Sequence, residues 1–152
     1  MASIRPYQRD DFDELWRIDQ ECFAAGIAYS RQELASYINH ARAFTIIAEE
    51  GSKIAAFIVA ECDPAGVGHI MTIDVRPALQ HSGLGSELLH LTEQRFAAQG
   101  CKSVLLEVAV NNFPALAFYK RHGYSVLETI PRYYLDSIDA LVMGKRLNSS
   151  KA

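Results

Sequence analysis

Three places in this chain carry residue types suited to chemistry, and they follow one another within about forty residues. The first is Gln80-His81-Ser82-Gly83-Leu84-Gly85-Ser86, a glycine-containing turn that enters a helix. Such a turn leaves main-chain amides unpaired at the positive end of a helix dipole, which suits a phosphate group, although the same residues also make a plain tight turn. It is not a dinucleotide fingerprint, because Leu88 stands where a third glycine is needed. It is not a P-loop either, because no Gly-Lys-Ser/Thr follows. The second is Glu107 within Val104-Leu105-Leu106-Glu107-Val108-Ala109-Val110. A carboxylate there faces solvent, or sits in an apolar wall that raises its pKa toward the range of a general base. Alternation puts it on one face with Leu105 and Ala109, and Asp74 in Ile73-Asp74-Val75 has the same two readings. The third is Asn112 with Tyr119. The Asn side chain can cap a helix or bond a ligand's amides, and the Tyr can pack or supply a phenolic proton.

Those residues need elements to hold them. Ile4 to Pro6 reads as a short strand, and Asp10 or Asp11 can cap a helix running to about Cys22, with Gly26 breaking the pattern. Ser30-Arg31-Gln32-Glu33 is a capping box that opens a second helix to about His40. Phe44–Ala48 and Ile54–Ala60 are β-rich runs joined across Glu50-Gly51-Ser52-Lys53, and His69–Val75 is a third strand. A helix with Leu84, Leu88, Leu91 and Arg95 on one stripe follows Gly83 and ends at Gly100. Ser103–Val110 is a strand, Pro114–His122 a short helix stopped by Gly123, and Tyr124–Ile130 and Ala140–Arg146 are the last strands. This order, antiparallel first and then strand–helix–strand–helix–strand, predicts a mixed α/β sheet with helices on both faces.

Composition bounds the function. The 152 residues include 15 basic and 18 acidic side chains, with a net charge of −3, 49% apolar and 22% charged residues. One domain over 1–147 with a loose tail over 148–152 is expected. The acidic balance argues against nucleic-acid binding, and no run approaches the roughly 18 apolar residues of a membrane span. Met1 to Tyr7 lacks the layout of a secretory signal. Cys22, Cys62 and Cys101 lie about forty residues apart with no Cys-x-x-Cys, and the five histidines have no metal-ligand spacing. Free thiols in a reducing, cytoplasmic compartment and no metal are the expectation.

The spacing of strand, Gln80-x-x-Gly83-x-Gly85, long helix, Leu106-Glu107-Val108, Asn112 and Ala117-Phe118-Tyr119-x-x-x-Gly123-Tyr124 resembles the GNAT superfamily of N-acetyltransferases. The resemblance spans about residues 4–146 and is most specific over Ile73–Tyr124. Within the superfamily the chain looks most like bacterial ribosomal-protein alanine N-acetyltransferases and related N-terminal acetyltransferases. Arg132-Tyr133-Tyr134 followed by Asp139-Ala140-Leu141-Val142-Met143 adds to that likeness.

The resemblance implies a single α+β domain with a mostly antiparallel sheet of about seven strands. It implies transfer of an acetyl group from acetyl-CoA to an amine by direct attack, with no metal. The acceptor would be the α-amine of a protein or peptide, with a small-molecule amine or a non-catalytic CoA-binding module as alternatives. By the same resemblance, Ile73, Asp74 and Val75 pair with the pantetheine arm. His81, Ser82, Gly83, Leu84, Gly85 and Ser86 hold the pyrophosphate, and Asn112 contacts the pantetheine end. Glu107 is the base, Tyr119 the acid, and the paired Tyr133 and Tyr134 help line the acceptor groove. The implied assembly is a monomer or homodimer. Three stretches depart from the pattern: His81-Ser82 in place of an Arg-rich turn, a short Asp136-Ser137-Ile138, and Phe113-Pro114 in place of small residues.

Overall fold

In the computed structural model, residues 2–25, 27–134 and 137–147 are described. The expected break at Gly26, Asp136 and the expected tail over 148–152 lie outside them. Seven strands form one sheet: β1 (Ala2–Pro6), β2 (Ala43–Glu50), β3 (Lys53–Cys62), β4 (Val67–Val75), β5 (Ser103–Ala109), β6 (Ser125–Tyr134) and β7 (Ile138–Arg146). Their order is β1-β2-β3-β4-β5-β7-β6, and every neighbouring pair is antiparallel except β4 and β5. Four helices complete the domain: α1 (Phe12–Cys22), α2 (Arg31–Ile38), α3 (Leu84–Ala98) and α4 (Phe113–Arg121). The expected mixed sheet with helices on both faces is what forms.

Two cores flank the sheet. Leu15 and Ile18 of α1 and Leu34 and Ile38 of α2 pack on Ile47, Phe57 and Val59. Leu84, Leu88, Leu89 and Phe96 of α3 and Tyr119 of α4 pack on Ile58, Ile70, Val104, Leu106 and Val108. Odd and even residues of β2, of β3 from Ala56 onward and of β5 thus divide between the two faces, as the strand period requires. In β4 the pairing shifts between Val59 and Ala60, so that Ile70 opposes Ala60 and Thr72 opposes Val59, with Met71 as the extra residue. The bulge turns Thr72 and Asp74 toward α1 while Ile73 and Val75 face α3.

Ser30 opens α2 as expected, its hydroxyl accepting from Glu33 N while Glu33 accepts from Ser30 N. Asp11, one of the two expected caps, stands at the N-cap position of α1, but its carboxylate accepts from the Arg5 guanidinium at 2.8 and 2.9 Å and from Gln8 N at 2.7 Å rather than from the helix amides. The last hairpin is longer than expected: β6 continues through a register irregularity to Tyr134, bringing Tyr133 and Tyr134 into the sheet.

The cysteines depart from expectation. Cys62, ending β3, and Cys101, just before β5, form a disulfide with Cα atoms 6.4 Å apart. Register explains it: Cys62 opposes Gly68, and Gly68 in turn opposes Val104 across the parallel pair. Only Cys22 remains a thiol, half-buried, its Sγ donating to Val75 O at 3.2 Å, and burial pushes its pKa up to about 12. No helix is long and apolar enough to cross a membrane, and no group of metal-ligating side chains occurs among the described residues.

Candidate active site

The site begins where β4 and β5 part. Their pairing covers only Val67–His69 against Ser103–Leu105. Beyond it, β4 continues to Val75 bonded to β3 alone, and β5 continues to Ala109 bonded to β7 alone. A wedge therefore opens in the middle of the sheet, with His69 and Leu105 at its root. The carbonyl of Met71 accepts from Tyr29 Oη at 2.9 Å, and that of Val75 accepts from Gln80 Nε2 at 3.1 Å, so both point away from β3. Main-chain groups two residues apart point the same way, so the N–H and C=O of Ile73 lie on the open edge, free to pair with an extended ligand. Asp74 offers only its backbone here. Its side chain is buried under α1, where Thr72 Oγ1 donates to it at 2.5 Å and Asp19 faces it.

The turn after β4 leads to the start of α3. His81 and Gly83 have φ of +67° and +91°, and Gly83 is the helix N-cap. A left-handed cap favours glycine, and having no side chain it leaves the first-turn amides of Leu84, Gly85 and Ser86 uncapped. Ser86 Oγ lies 2.9 Å from His122 Nε2, tying the helix start to the end of α4. A Cβ on Gly85 would stand 3.4 Å from the Phe118 ring, so α3 and α4 also meet closely here. The uncapped amides, aligned with a 15-residue helix, suit a pyrophosphate, and the open edge of Ile73 suits an amide-bearing arm.

Asn112 caps α4: its Oδ1 accepts from Ala115 N at 3.2 Å. One lone pair of the carbonyl thus serves the helix, and the side-chain NH2 can donate to a ligand. Tyr119 is buried on α4, its phenol near Asp74 and Tyr134, and burial raises its pKa above the ordinary 10. It is therefore a neutral hydrogen-bond donor throughout the working pH range.

Glu107 is half-buried on the face toward α1 and α2, as alternation with Val104, Leu106 and Val108 demands. It lies neither in free solvent nor in a purely apolar wall. Its Oε1 is 2.8 Å from Nε2 of His69, a residue that the motif spacing did not single out. That contact is the main cause of a raised pKa at His69, against the opposing effect of burial. Tyr37 of α2 and Tyr133 and Tyr134 of β6 lie close enough to feel the Glu107 charge, each with its pKa raised mainly by burial. The Tyr133 and Tyr134 rings meet edge-to-face at 4.8 Å, and Tyr29 and Tyr37 do so at 5.1 Å. The carboxylate thus lies beside a cluster of aromatic rings. Of these rings the resemblance names the paired Tyr133 and Tyr134, and not Tyr29 or Tyr37. The side chains of α2 and β6 meet through tertiary packing, and no linear spacing records it.

The chain was compared with known proteins. The acetyltransferase (GNAT) family matches residues 10–124. An uncharacterised N-acetyltransferase of Methanocaldococcus jannaschii is 30% identical over 149 residues, 97% of this chain and 94% of that protein. The crystal structure of the ribosomal-protein-S18-alanine N-acetyltransferase from Escherichia coli superposes with a TM-score of 0.86 at 25% identity, covering 99% of this chain and 97% of that one. The Ard1 structure from Thermoplasma volcanium shares the fold, with a TM-score of 0.85 at 24% identity over 97% of this chain and 98% of that one. With the opened sheet and the uncapped helix already in place, these similarities make the chain a member of the GNAT family, an acyl-CoA-dependent N-acetyltransferase.

Proposed function

We propose that the protein acetylates the α-amino group at the N-terminus of a peptide or protein. The observation that carries this reading is the position of Glu107, among a cluster of tyrosines and beside the wedge between β4 and β5. The similarity to an alanine N-acetyltransferase acting on a ribosomal protein supports the same acceptor class.

In this reading the amides of His81–Ser86 hold the pyrophosphate of acetyl-CoA. The main chain of Ile73–Val75 pairs with the pantetheine arm, and the Asn112 amide NH2 contacts the end of that arm. The thioester then lies in the wedge, where an Ile73 amide can polarise its oxygen. Glu107 receives the acceptor on the α1/α2 face, and Tyr134 lines its path. Tyr119 approaches the sulfur from the α3/α4 side.

Protonation arithmetic favours an α-amine. At pH 7.4 an amine of pKa about 7.8 is roughly a quarter to a third neutral, whereas a lysine of pKa about 10.4 is about a thousandth neutral. A modest base suffices, and positioned base catalysis contributes about 10²–10⁴-fold. The leaving thiolate and the Tyr119 phenol share one buried place. The desolvation that makes the phenol a weaker acid also makes the thiolate a stronger base, so proton transfer between them stays feasible.

The test is release of free CoA thiol from acetyl-CoA with Ala- and Ser-starting peptides, set beside polyamines, free amino acids and aminoglycosides. Turnover concentrated on the peptides is expected. Turnover confined to small amines would move the protein to that acceptor class, and acetyl-CoA binding without turnover on any acceptor would reduce it to a binding module.

A further inference from the structure

The turn that leads into α3, Gln80-His81-Ser82-Gly83-Leu84-Gly85-Ser86, contains no lysine or arginine, so a diphosphate held there meets main-chain amides and few side-chain donors. Two of those donors are already used, the Ser82 hydroxyl on Leu79 O and the Gln80 amide on Val75 O. The Ser86 hydroxyl has a different kind of partner, a ring that can change its proton count. We infer that His122 and Ser86 form a proton-coupled anion contact, in which a proton taken up by the His122 ring frees the Ser86 hydroxyl for the diphosphate of acetyl-CoA. The inference rests on the reading that the amides of His81–Ser86 hold that diphosphate.

The hydrogen bonds fix the tautomer of the ring. His122 Nδ1 lies 2.8 Å from Phe118 O, and a carbonyl oxygen only accepts, so Nδ1 carries a hydrogen. In the neutral ring Nε2 is then a bare acceptor, and Ser86 Oγ, 2.9 Å away, is the donor. The Ser86 hydrogen is thereby spent on α4. Protonation at Nε2 reverses that bond: the imidazolium donates to Ser86 Oγ, and the hydroxyl hydrogen is released. Ser86 is the third residue of α3, and the glycine cap has no side chain, so the released hydrogen joins the uncapped amides of Leu84, Gly85 and Ser86. The charge on the ring adds to the positive end of the helix dipole.

The packing holds both groups in place. Each is half-buried, and the His122 and Phe118 rings lie 4.5 Å apart between centroids. Phe118 is also the ring that a Cβ on Gly85 would meet at 3.4 Å, so α3 and α4 approach closely where the bond forms. The charged and titratable groups of this region come from four elements. On α4 stand Lys120 and Arg121, the latter with its guanidinium over the Phe118 ring at 5.8 Å. The turn carries His81, and α3 carries Glu87 and His90, all three exposed. Lys145 of β7 passes within 3.4 Å of a Cβ built on Gly123, and its Nζ donates to Glu93 of α3 at 3.0 Å. Glu93 is thus paired and Glu87 lies toward solvent, which leaves the ligand as the anion that a charged His122 serves.

Imidazole is the side chain whose charge changes near neutral pH. Linkage is reciprocal: a ligand that favours the charged ring binds more tightly where the ring is charged. Each ring that was neutral takes one proton from solvent onto Nε2 as the ligand binds, and no covalent bond between heavy atoms changes.

The test titrates the enzyme with dephospho-CoA, which keeps the diphosphate and lacks the 3′-phosphate, a monoester that would itself titrate near pH 6 or so, about where a phosphate's second proton leaves. Calorimetry at pH 7 in buffers of different ionisation enthalpy counts the protons taken up. Nitrogen-15 NMR follows the His122 ring and the amides of Leu84, Gly85 and Ser86. The expected result is net proton uptake, a His122 ring that titrates at higher pH in the complex than in the free enzyme, and a Kd that weakens about tenfold from pH 5.5 to pH 8. His122→Gln keeps a donor toward Ser86 and cannot gain charge, so it should bind without proton uptake and with a Kd that stays flat over that range. Binding that moves the three amide signals but takes up no proton, or leaves the His122 titration where it was, would overturn the coupling while the diphosphate keeps its place. Uptake that persists in His122→Gln would assign the proton to another group and overturn the coupling equally. Failure of dephospho-CoA to bind, or binding that leaves those amide signals unmoved, would overturn the coupling together with the placement of the diphosphate.

Discussion

Glu107 and Tyr119 belong to opposite faces of the sheet: Glu107 projects toward α1 and α2, while Tyr119 is packed in the core beneath α3 and α4. Between those faces β4 parts from β5 beyond His69 and Leu105. A thioester lying in that gap would have the amine arriving from one face and its sulfur leaving toward the other. That arrangement separates deprotonation of the acceptor from protonation of the leaving group, so the two can be perturbed independently.

Tyr119→Phe should therefore lower kcat about 10- to 100-fold while acetyl-CoA KM changes by less than about twofold. In the proposed reading the phenol acts on the departing sulfur, where only the transition state gains from it. Steady-state kinetics with both substrates varied would check this, and unchanged turnover would remove Tyr119 from the acid role.

Gly83→Ala separates strain from crowding. The position has φ +91°, yet nothing lies within 4 Å of a Cβ built there. The cost is the left-handed conformation alone, about 1–2 kcal/mol. Relaxation of the turn would misalign the amides behind it, so calorimetry should show CoA binding weakened about tenfold, with kcat at saturation near the wild-type value.

Asp74 gives a pH-dependent stability effect of definite sign. It is fully buried against Asp19, and burial followed by the Asp19 charge raises its pKa well above the ordinary carboxyl value. The pair accordingly retains a proton in the folded state. A folded pKa above the unfolded one stabilises fully below pH about 3.9, and that stabilisation is lost as pH rises through the folded value. Asp74→Asn mimics the protonated form at every pH. Thermal unfolding should show the variant level with the wild type near pH 4 and progressively more stable toward pH 8. A Tm difference independent of pH would contradict the shared proton.

The Cys62–Cys101 link closes a loop with a sequence separation of 39. Chain-entropy reasoning puts its contribution at about 4 kcal/mol, or on the order of 10 °C in Tm for a domain this size. Cys101→Ser should lower the Tm of oxidised protein by that order and leave the Tm of fully reduced protein nearly unchanged. Equal effects in both states would mean that packing of the buried Cys101 side chain, not the bond, is what the substitution removes.

These features were unequally legible in the sequence. Strand period, the Ser30 capping box and the glycine turn before α3 are local, so they were read with nearly their observed bounds. The resemblance named Glu107 and Tyr119, but it gave no sign of what touches them. His69 and Glu107 are 38 residues apart and meet because the chain crosses over through α3 to lay β5 beside β4. Cys62 and Cys101 meet through the same crossover, and their odd third partner, Cys22, hid the pairing. Asp19 and Asp74 face each other only because the bulge at Met71 reverses which β4 residues look toward α1. Asn112 had two open readings, and its Oδ1 takes the local one by capping α4. What eluded the sequence is contact between strands that are neighbours in space and distant along the chain.

The most direct measurement of the central claim uses a peptide with a free N-terminal alanine and one internal lysine, incubated with the enzyme and acetyl-CoA and mapped by tandem mass spectrometry. The account predicts a single acetyl group on the alanine α-nitrogen and loss of reaction when that amine is blocked. Acetylation of the lysine ε-nitrogen at a comparable rate, or reaction that persists on the blocked peptide, would contradict it.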